Sequence, residues 1–284
     1  MTKTAWVFPG QGSQVIGMGA SLIDQPEAKA KFQQAESILG WSVLEVCQTE
    51  ELNRTLYTQP CLYTIAAILS DRLPTRPHVV AGHSLGEFVA LYSAGVFDFS
   101  TGLQLVKYRA ELMDQARGGK MVALLGGDLA AIKNAIANQT DVVLANDNCP
   151  GQVVISGTPE AVDSLIAQIK VKRAMPLNVS GAFHSPLMAQ AAAQFSQTLA
   201  EVDFNDAQVP VLSNVDPQPT RDAAILKHRL DQQMTGPVRW TEIVQQLPKL
   251  GVRQVVEVGP AKVLMGLIKR TCEDLELMHV DNII

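Results

Sequence analysis

Cysteine is scarce in this 284-residue chain: only Cys47, Cys61, Cys149 and Cys272 are present, and no two are spaced as CxxC. Such scatter predicts free buried thiols and excludes a disulfide framework or a cysteine zinc site, so no metal is expected. Positive charge is not in excess either. Lys and Arg number 23 against 28 Asp and Glu, a net charge of −5, which argues against a general nucleic-acid binder. No apolar run approaches the ~20 residues of a membrane span. No basic segment followed by an apolar stretch and a cleavage site stands at the start. The expectation is a cytoplasmic protein, monomeric by default, with no membrane or nucleic-acid partner. Repeats and low-complexity segments are absent.

What is present is a globular composition, 47% apolar and 18% charged, in a chain long enough to bury a large core. Short apolar runs alternate with longer amphipathic stretches. Residues 4–8, 78–81, 209–212 and 255–258 read as strands. Residues 26–39, 59–69, 85–94, 100–113, 186–199 and 262–270 read as helices. Gln59-Pro60 puts proline in a first helical turn, and Ser100 is a candidate N-cap. The alternation predicts an α/β fold with a parallel sheet covered by helices.

The middle changes character. Strands at 121–125, 142–145, 153–155 and 173–179 enclose helices at 129–137 and 159–169. That β-α-β-β-α-β order predicts a ferredoxin-like unit. Asn146-Asp147-Asn148-Cys149-Pro150-Gly151 reads as a dense turn. The division expected is a hydrolase-like α/β domain over residues 1–118 and 182–284, with a ferredoxin-like α+β subdomain inserted at 119–181.

The most informative words are Gly82-His83-Ser84-Leu85-Gly86-Glu87. G-x-S-x-G between a strand and a helix is a nucleophile elbow. The sharp turn lifts Ser84 Oγ out at the carboxyl edge of the sheet, and side chains in place of the glycines would clash. The Leu85 N–H then sits at a helix start, aimed at a developing oxyanion. Serine needs a base, and five histidines compete. His83 adjoins the serine but points elsewhere in such a turn; His78 reads as a surface residue, and His228 lies in a polar helix. His184 and His279 remain close rivals, and no Asp or Glu declares itself as a third member.

Two further features stand out. Leu105, Arg109 and Leu112 share one helix face, so Arg109 lies on an apolar side. A guanidinium there either grips a carboxylate in its fork or pairs at the rim with an acid such as Glu111. The glycine-rich stretch FPGQGSQVIGMG at residues 8–19 suggests a phosphate cradle. Its spacing fails: Gly10 and Gly12 call for a glycine at position 15, which is Val15, and no GK[ST] follows.

FPGQGSQ, GHSLGE and GAFHSPLM, with Gln59-Pro60, Arg109, Pro150 to Gly157 and Val258-Gly259-Pro260, together resemble the malonyl-CoA:acyl carrier protein transacylases across essentially the whole chain. The resemblance implies the same two-part fold. It selects His184 as base for Ser84, oriented by the backbone carbonyl of Gln233 instead of by a carboxylate. It makes Arg109 the anchor of the substrate carboxylate. Gln11 and Leu85 supply the oxyanion-hole N–H groups, and Gln59 joins the substrate site. Phe183 becomes an aromatic gate against an α-methyl branch.

The activity so implied is ping-pong transfer of a malonyl group from malonyl-CoA to the phosphopantetheine thiol of acyl carrier protein, a transient partner, for fatty-acid biosynthesis, with no cofactor held by the chain. Alternatives are a malonyl transferase of malonate decarboxylation or polyketide assembly, a serine esterase, and a docking subunit without activity. The carrier is typically acidic. Lys249, Arg253, Lys262, Lys269 and Arg270, with the single acid Glu257 among them, form a candidate docking patch or simply a solvated face.

Overall fold

A computed structural model describes residues 2–282. Strand β1 (Lys3–Phe8) leads into the glycine-rich loop, then α1 (Pro26–Leu39), α2 (Val43–Val46) and α3 (Thr55–Asp71). Next come β2 (Val79–Gly82), α4 (Gly86–Ser93) and α5 (Phe99–Gln115). The middle segment contains β3 (Lys120–Leu125), α6 (Leu129–Ala137), β4 (Val142–Cys149), β5 (Gln152–Gly157), α7 (Pro159–Gln168) and β6 (Arg173–Pro176). The chain returns through α8 (Ala189–Ala200), β7 (Val211–Leu212), α9 (Ala223–Gln232), α10 (Trp240–Lys249), β8 (Val252–Val258), α11 (Val263–Thr271) and β9 (Glu276–Val280).

The strands form two sheets. One is five-stranded and parallel, in the order β7-β2-β1-β8-β9. Ala5 to Phe8 of β1 and all of β2 are buried, as strands covered on both faces must be. The other sheet is four-stranded and antiparallel, in the order β4-β5-β3-β6. Its strand order and its two helices are those of a ferredoxin-like unit. The expected α/β fold, a hydrolase-like parallel sheet with a ferredoxin-like insertion, is what the chain adopts.

Local differences from expectation have physical causes. Helix α3 begins at Thr55, so Pro60 lies within it and leaves the Leu56 carbonyl without its usual donor. Asp98, not Ser100, caps α5, its carboxylate accepting the Thr101 N–H at 2.8 Å. The supposed turn at residues 146–151 is mostly strand: β4 runs on to Cys149, and only Pro150-Gly151 turns, with Gly151 at φ 76°. Asn146 to Asn148 are turn formers by composition, yet here they are buried. The Asp147 N–H donates to Val238 O and the Val238 N–H to Ala145 O, stitching the antiparallel unit to the segment before α10. Cys47, Cys61 and Cys149 are buried as expected; Cys272 is partly exposed.

Candidate active site

Ser84 closes the turn between β2 and α4 with φ 51°, a left-handed conformation that costs a non-glycine residue energy. Its glycine neighbours are obligatory. A Cβ on Gly82 would lie 1.9 Å from the Gly86 backbone, and one on Gly86 1.9 Å from Phe8 O. Gly10 brings the FPGQG loop against the same turn: its Cβ would stand 2.4 Å from His83 O and 3.6 Å from Leu85 N. The glycine-rich loop and the elbow thus meet at the carboxyl edge of the parallel sheet, where open α/β sheets place their ligands.

His184 also has positive φ, 58°, and its Nε2 lies 2.8 Å from Ser84 Oγ. Its Nδ1 lies 3.0 Å from Gln233 O and 3.1 Å from Gly236 O. Both partners are backbone carbonyls, which only accept, so Nδ1 carries the proton and Nε2 presents a lone pair to the serine hydroxyl. The imidazole is held neutral. Burial foremost, and then the Arg109 charge, push its pKa down to about 3.

Arg109 is 2% exposed, so the rim pairing is ruled out. Its Nη1 donates to Gln59 Oε1 at 2.5 Å, and its Nη2 to Gln233 Oε1 at 3.0 Å and Ser84 Oγ at 3.1 Å. All three partners are neutral. Burial lowers its pKa to about 10 and nearby Glu87 opposes that fall, so it stays cationic at neutral pH. A buried cation held by neutral dipoles at the nucleophile is a ready seat for a carboxylate.

Gln11 and Leu85 have backbone N–H groups that, among the described residues, donate to no protein acceptor. The Gln11 side chain is tied back instead. Thr55 Oγ1 donates to Gln11 Oε1 at 2.8 Å, and Gln59 Nε2 donates to Thr55 Oγ1 at 2.8 Å. A relay Gln11–Thr55–Gln59–Arg109 therefore joins the candidate oxyanion loop to the carboxylate anchor. Phe183 is buried and lines the cleft that holds Ser84, together with Met121 and Leu177. The cleft holds about 90 Å³, small enough to admit a short acyl group and leave a longer arm outside. A larger cleft of about 460 Å³ around Ser70, Tyr92 and Gln208 is remote from Ser84 and His184.

The rival histidines are accounted for. His83 lines the cleft, but its Nε2 meets Asn148 Oδ1 at 2.8 Å and its ring packs edge-on to Trp240. His279 bonds Gly259 O, His228 bonds Gln232, and His78 accepts the Thr4 N–H. Several residues escaped the sequence reading, Thr55 of the relay and Asn214, whose Oδ1 accepts the Ser84 N–H at 2.7 Å, among them. Gly236 supplies a second carbonyl to His184. Glu87 lies buried behind the elbow. Asn146 brings the antiparallel unit into the cleft with a buried Oδ1 that has no partner among the described residues. The signal for Asn146 was there in misread form: turn formers inside a strand mark side chains needed at a site. Among the described residues no cluster suits a metal ion, and no helix is long and apolar enough to cross a membrane.

Residues 5–284 match the acyl transferase domain family. The chain belongs to that family. This acyl transferase is 58% identical to the malonyl CoA-acyl carrier protein transacylase of Synechocystis, over 98% of this chain and 97% of the relative. The crystal structure of a Synechocystis malonyl-CoA:ACP transacylase superposes with a TM-score of 0.97 at 58% identity, covering 99% of this chain and 97% of that one. A malonyl transacylase solved in complex with its type II polyketide acyl carrier protein gives 0.92 at 39% identity, covering 99% and 96%.

Proposed function

We propose that this acyl transferase moves a malonyl group from malonyl-CoA to the phosphopantetheine thiol of an acyl carrier protein, through an ester on Ser84, in cytoplasmic fatty-acid synthesis. The observation that carries the reading is Arg109, a buried guanidinium with only neutral partners, 3.1 Å from the nucleophile. The three-carbon malonyl group fits the small cleft and brings the carboxylate Arg109 lacks.

His184 Nε2 takes the Ser84 Oγ proton as Oγ bonds to the thioester carbon. The N–H groups of Gln11 and Leu85 hold the oxyanion. The carbon–sulfur bond breaks, and the CoA thiolate takes the proton from Nε2. The carrier's thiol then repeats the sequence in reverse roles: His184 accepts its proton, the sulfur attacks the ester, and Ser84 recovers the proton. No resident cofactor is needed, and every reacting side chain comes from one chain, so we propose a monomer. Incubation with malonyl-CoA should give one malonyl adduct by intact mass, absent in Ser84→Ala. A wild-type protein that stays unmodified would sink the transferase reading.

A polyketide carrier is the second reading, supported by the relative solved with one bound; parallel acceptor assays with fatty-acid and polyketide carriers separate the two.

The candidate docking patch divides in space. Strand β8 runs parallel to β1, so Arg253 and Lys249 lie at the edge opposite the cleft, while Lys262 follows the carboxyl end of β8, close to where Gly259 meets Pro9. Helix α11 then carries Lys269 and Arg270 about 10 Å away, and Arg270 bonds Gln152. Strand–helix alternation, which contiguous sequence hides, separates them. Lys262→Glu is expected to raise KM for the acidic carrier about five- to tenfold with KM for malonyl-CoA unchanged, and Arg253→Glu to change neither. Steady-state kinetics with each substrate varied decides it; equal effects of the two reversals would remove Lys262 from the docking surface.

A further inference from the structure

Glu87 is 1% exposed on the first turn of α4. A carboxylate in a core costs several kcal/mol unless it is well partnered, and the reaction steps above make no use of it. Its partners are specific. Oε2 accepts the Gln233 Nε2–H at 2.7 Å and the Asn214 backbone N–H at 3.2 Å.

These two amide residues hold the rest of the site. Asn214 Oδ1 accepts the Ser84 N–H at 2.7 Å, and Asn214 Nδ2 donates to Gly82 O at 2.6 Å. Gln233 Nε2 also donates to Ser84 O at 3.0 Å, and Gln233 Oε1 accepts from Arg109 Nη2 at 3.0 Å. The carbonyl of the same Gln233 takes His184 Nδ1–H. The Glu87 carboxylate oxygen, at the shorter distance of 2.7 Å, and the Ser84 carbonyl at 3.0 Å together fix which end of the Gln233 amide faces Arg109. Were that amide turned over, its NH2 would face the guanidinium and repel it.

We infer that Glu87 is a positioning residue for acyl selection: by orienting the Gln233 amide it sets the Arg109 fork opposite Ser84, and so favours acyl groups that end in a carboxylate. Burial raises the Glu87 carboxyl pKa, while the Gln233 and Asn214 donors and the Arg109 charge work against that rise. The inference rests on the malonyl-transfer reading, and the wild-type adduct tests that reading separately.

The experiment compares Glu87→Gln, Glu87→Asp and Glu87→Ala for kcat/KM with malonyl-CoA and acetyl-CoA, alongside melting temperature. In Glu87→Gln the amide oxygen accepts both N–H groups, so the malonyl-to-acetyl ratio should stay within about threefold of wild type. In Glu87→Asp, one methylene shorter, and in Glu87→Ala the ratio should fall at least about tenfold, chiefly through KM for malonyl-CoA. A purely structural role predicts lower melting temperatures with both donors slowed in parallel, and that result overturns the inference. Where Glu87→Ala does not fold, the Asp and Gln variants carry the comparison; an unchanged ratio in Glu87→Asp overturns it equally.

Discussion

Arg109→Ala is expected to lower kcat/KM for malonyl-CoA about 100- to 1,000-fold while changing that for acetyl-CoA by no more than about threefold. The size follows from what is lost. Truncating one partner of a buried, hydrogen-bonded charge pair costs about 2–5 kcal/mol, and about 1.4 kcal/mol is a factor of ten. Acetyl has no carboxylate and forfeits nothing of this kind.

The same substitution carries a second, independent signature. His184 must be neutral to act as base, so activity falls as pH drops through its pKa. Three causes lower that pKa to about 3: burial first, the Arg109 charge second and His83 last. Alanine at position 109 removes only the second. The His184 pKa then rises while staying below its ordinary 6.5, and the acid limb of acetyl-transfer activity moves to higher pH. Substrate should act in the same direction, since a malonyl carboxylate on Arg109 cancels the charge that weakens the base. Paired pH–rate profiles of wild type and Arg109→Ala with acetyl-CoA check this. An acid limb that stays put, or moves lower, would mean that Arg109 does not act on His184.

How much of this was legible in the sequence varies with the physics of each element. The elbow was, because Gly82 and Gly86 answer to steric contacts within a few residues and with the neighbouring strand. The side of the helix that carries Arg109 was, because helical spacing puts it among leucines, but spacing left a rim pairing with Glu111 open, and only the 2% exposure decided for burial. Choosing His184 over His279 was not, since it depends on two carbonyls about fifty residues downstream, and family resemblance had to supply it. Glu87, Asn214 and Gln233 form a network across more than 100 residues of chain, and no local pattern encodes such pairings. Strand β9 escaped because it lies at the sheet edge and exposes Glu276 and Met278, leaving no apolar run to see. Helix α10 was passed over although Trp240, Ile243, Val244 and Leu247 form a clean apolar stripe; the proline at position 248 falls within its last turn, where the chain is already about to leave the helix. The Asn146 segment misled for the opposite reason: its composition speaks of turns, while its backbone is held in a ladder by Val154 and Val238.

Gln11→Pro is expected to cut turnover about 100- to 1,000-fold, and Gln11→Ala by no more than about tenfold. Loss of a single oxyanion donor costs about 10²–10³ in kcat, and proline is the residue that deletes a backbone N–H. Alanine keeps that N–H and deletes only the amide gripped by Thr55 Oγ1 at 2.8 Å. Its smaller effect comes from a loop less firmly tied to Gln59 and Arg109. Because the oxyanion forms only as the thioester is attacked, the proline defect should lie in kcat, with KM for malonyl-CoA changing less than about threefold. Release of CoA thiol, followed at saturating and limiting malonyl-CoA, separates the two parameters. Equal losses in Pro and Ala would assign the effect to the side-chain tether instead of the N–H. A proline defect confined to KM would mean that the loop binds substrate without stabilising its transition state. The result expected here leaves the FPGQG loop, despite its likeness to a phosphate cradle, acting on a single oxygen atom during a single step.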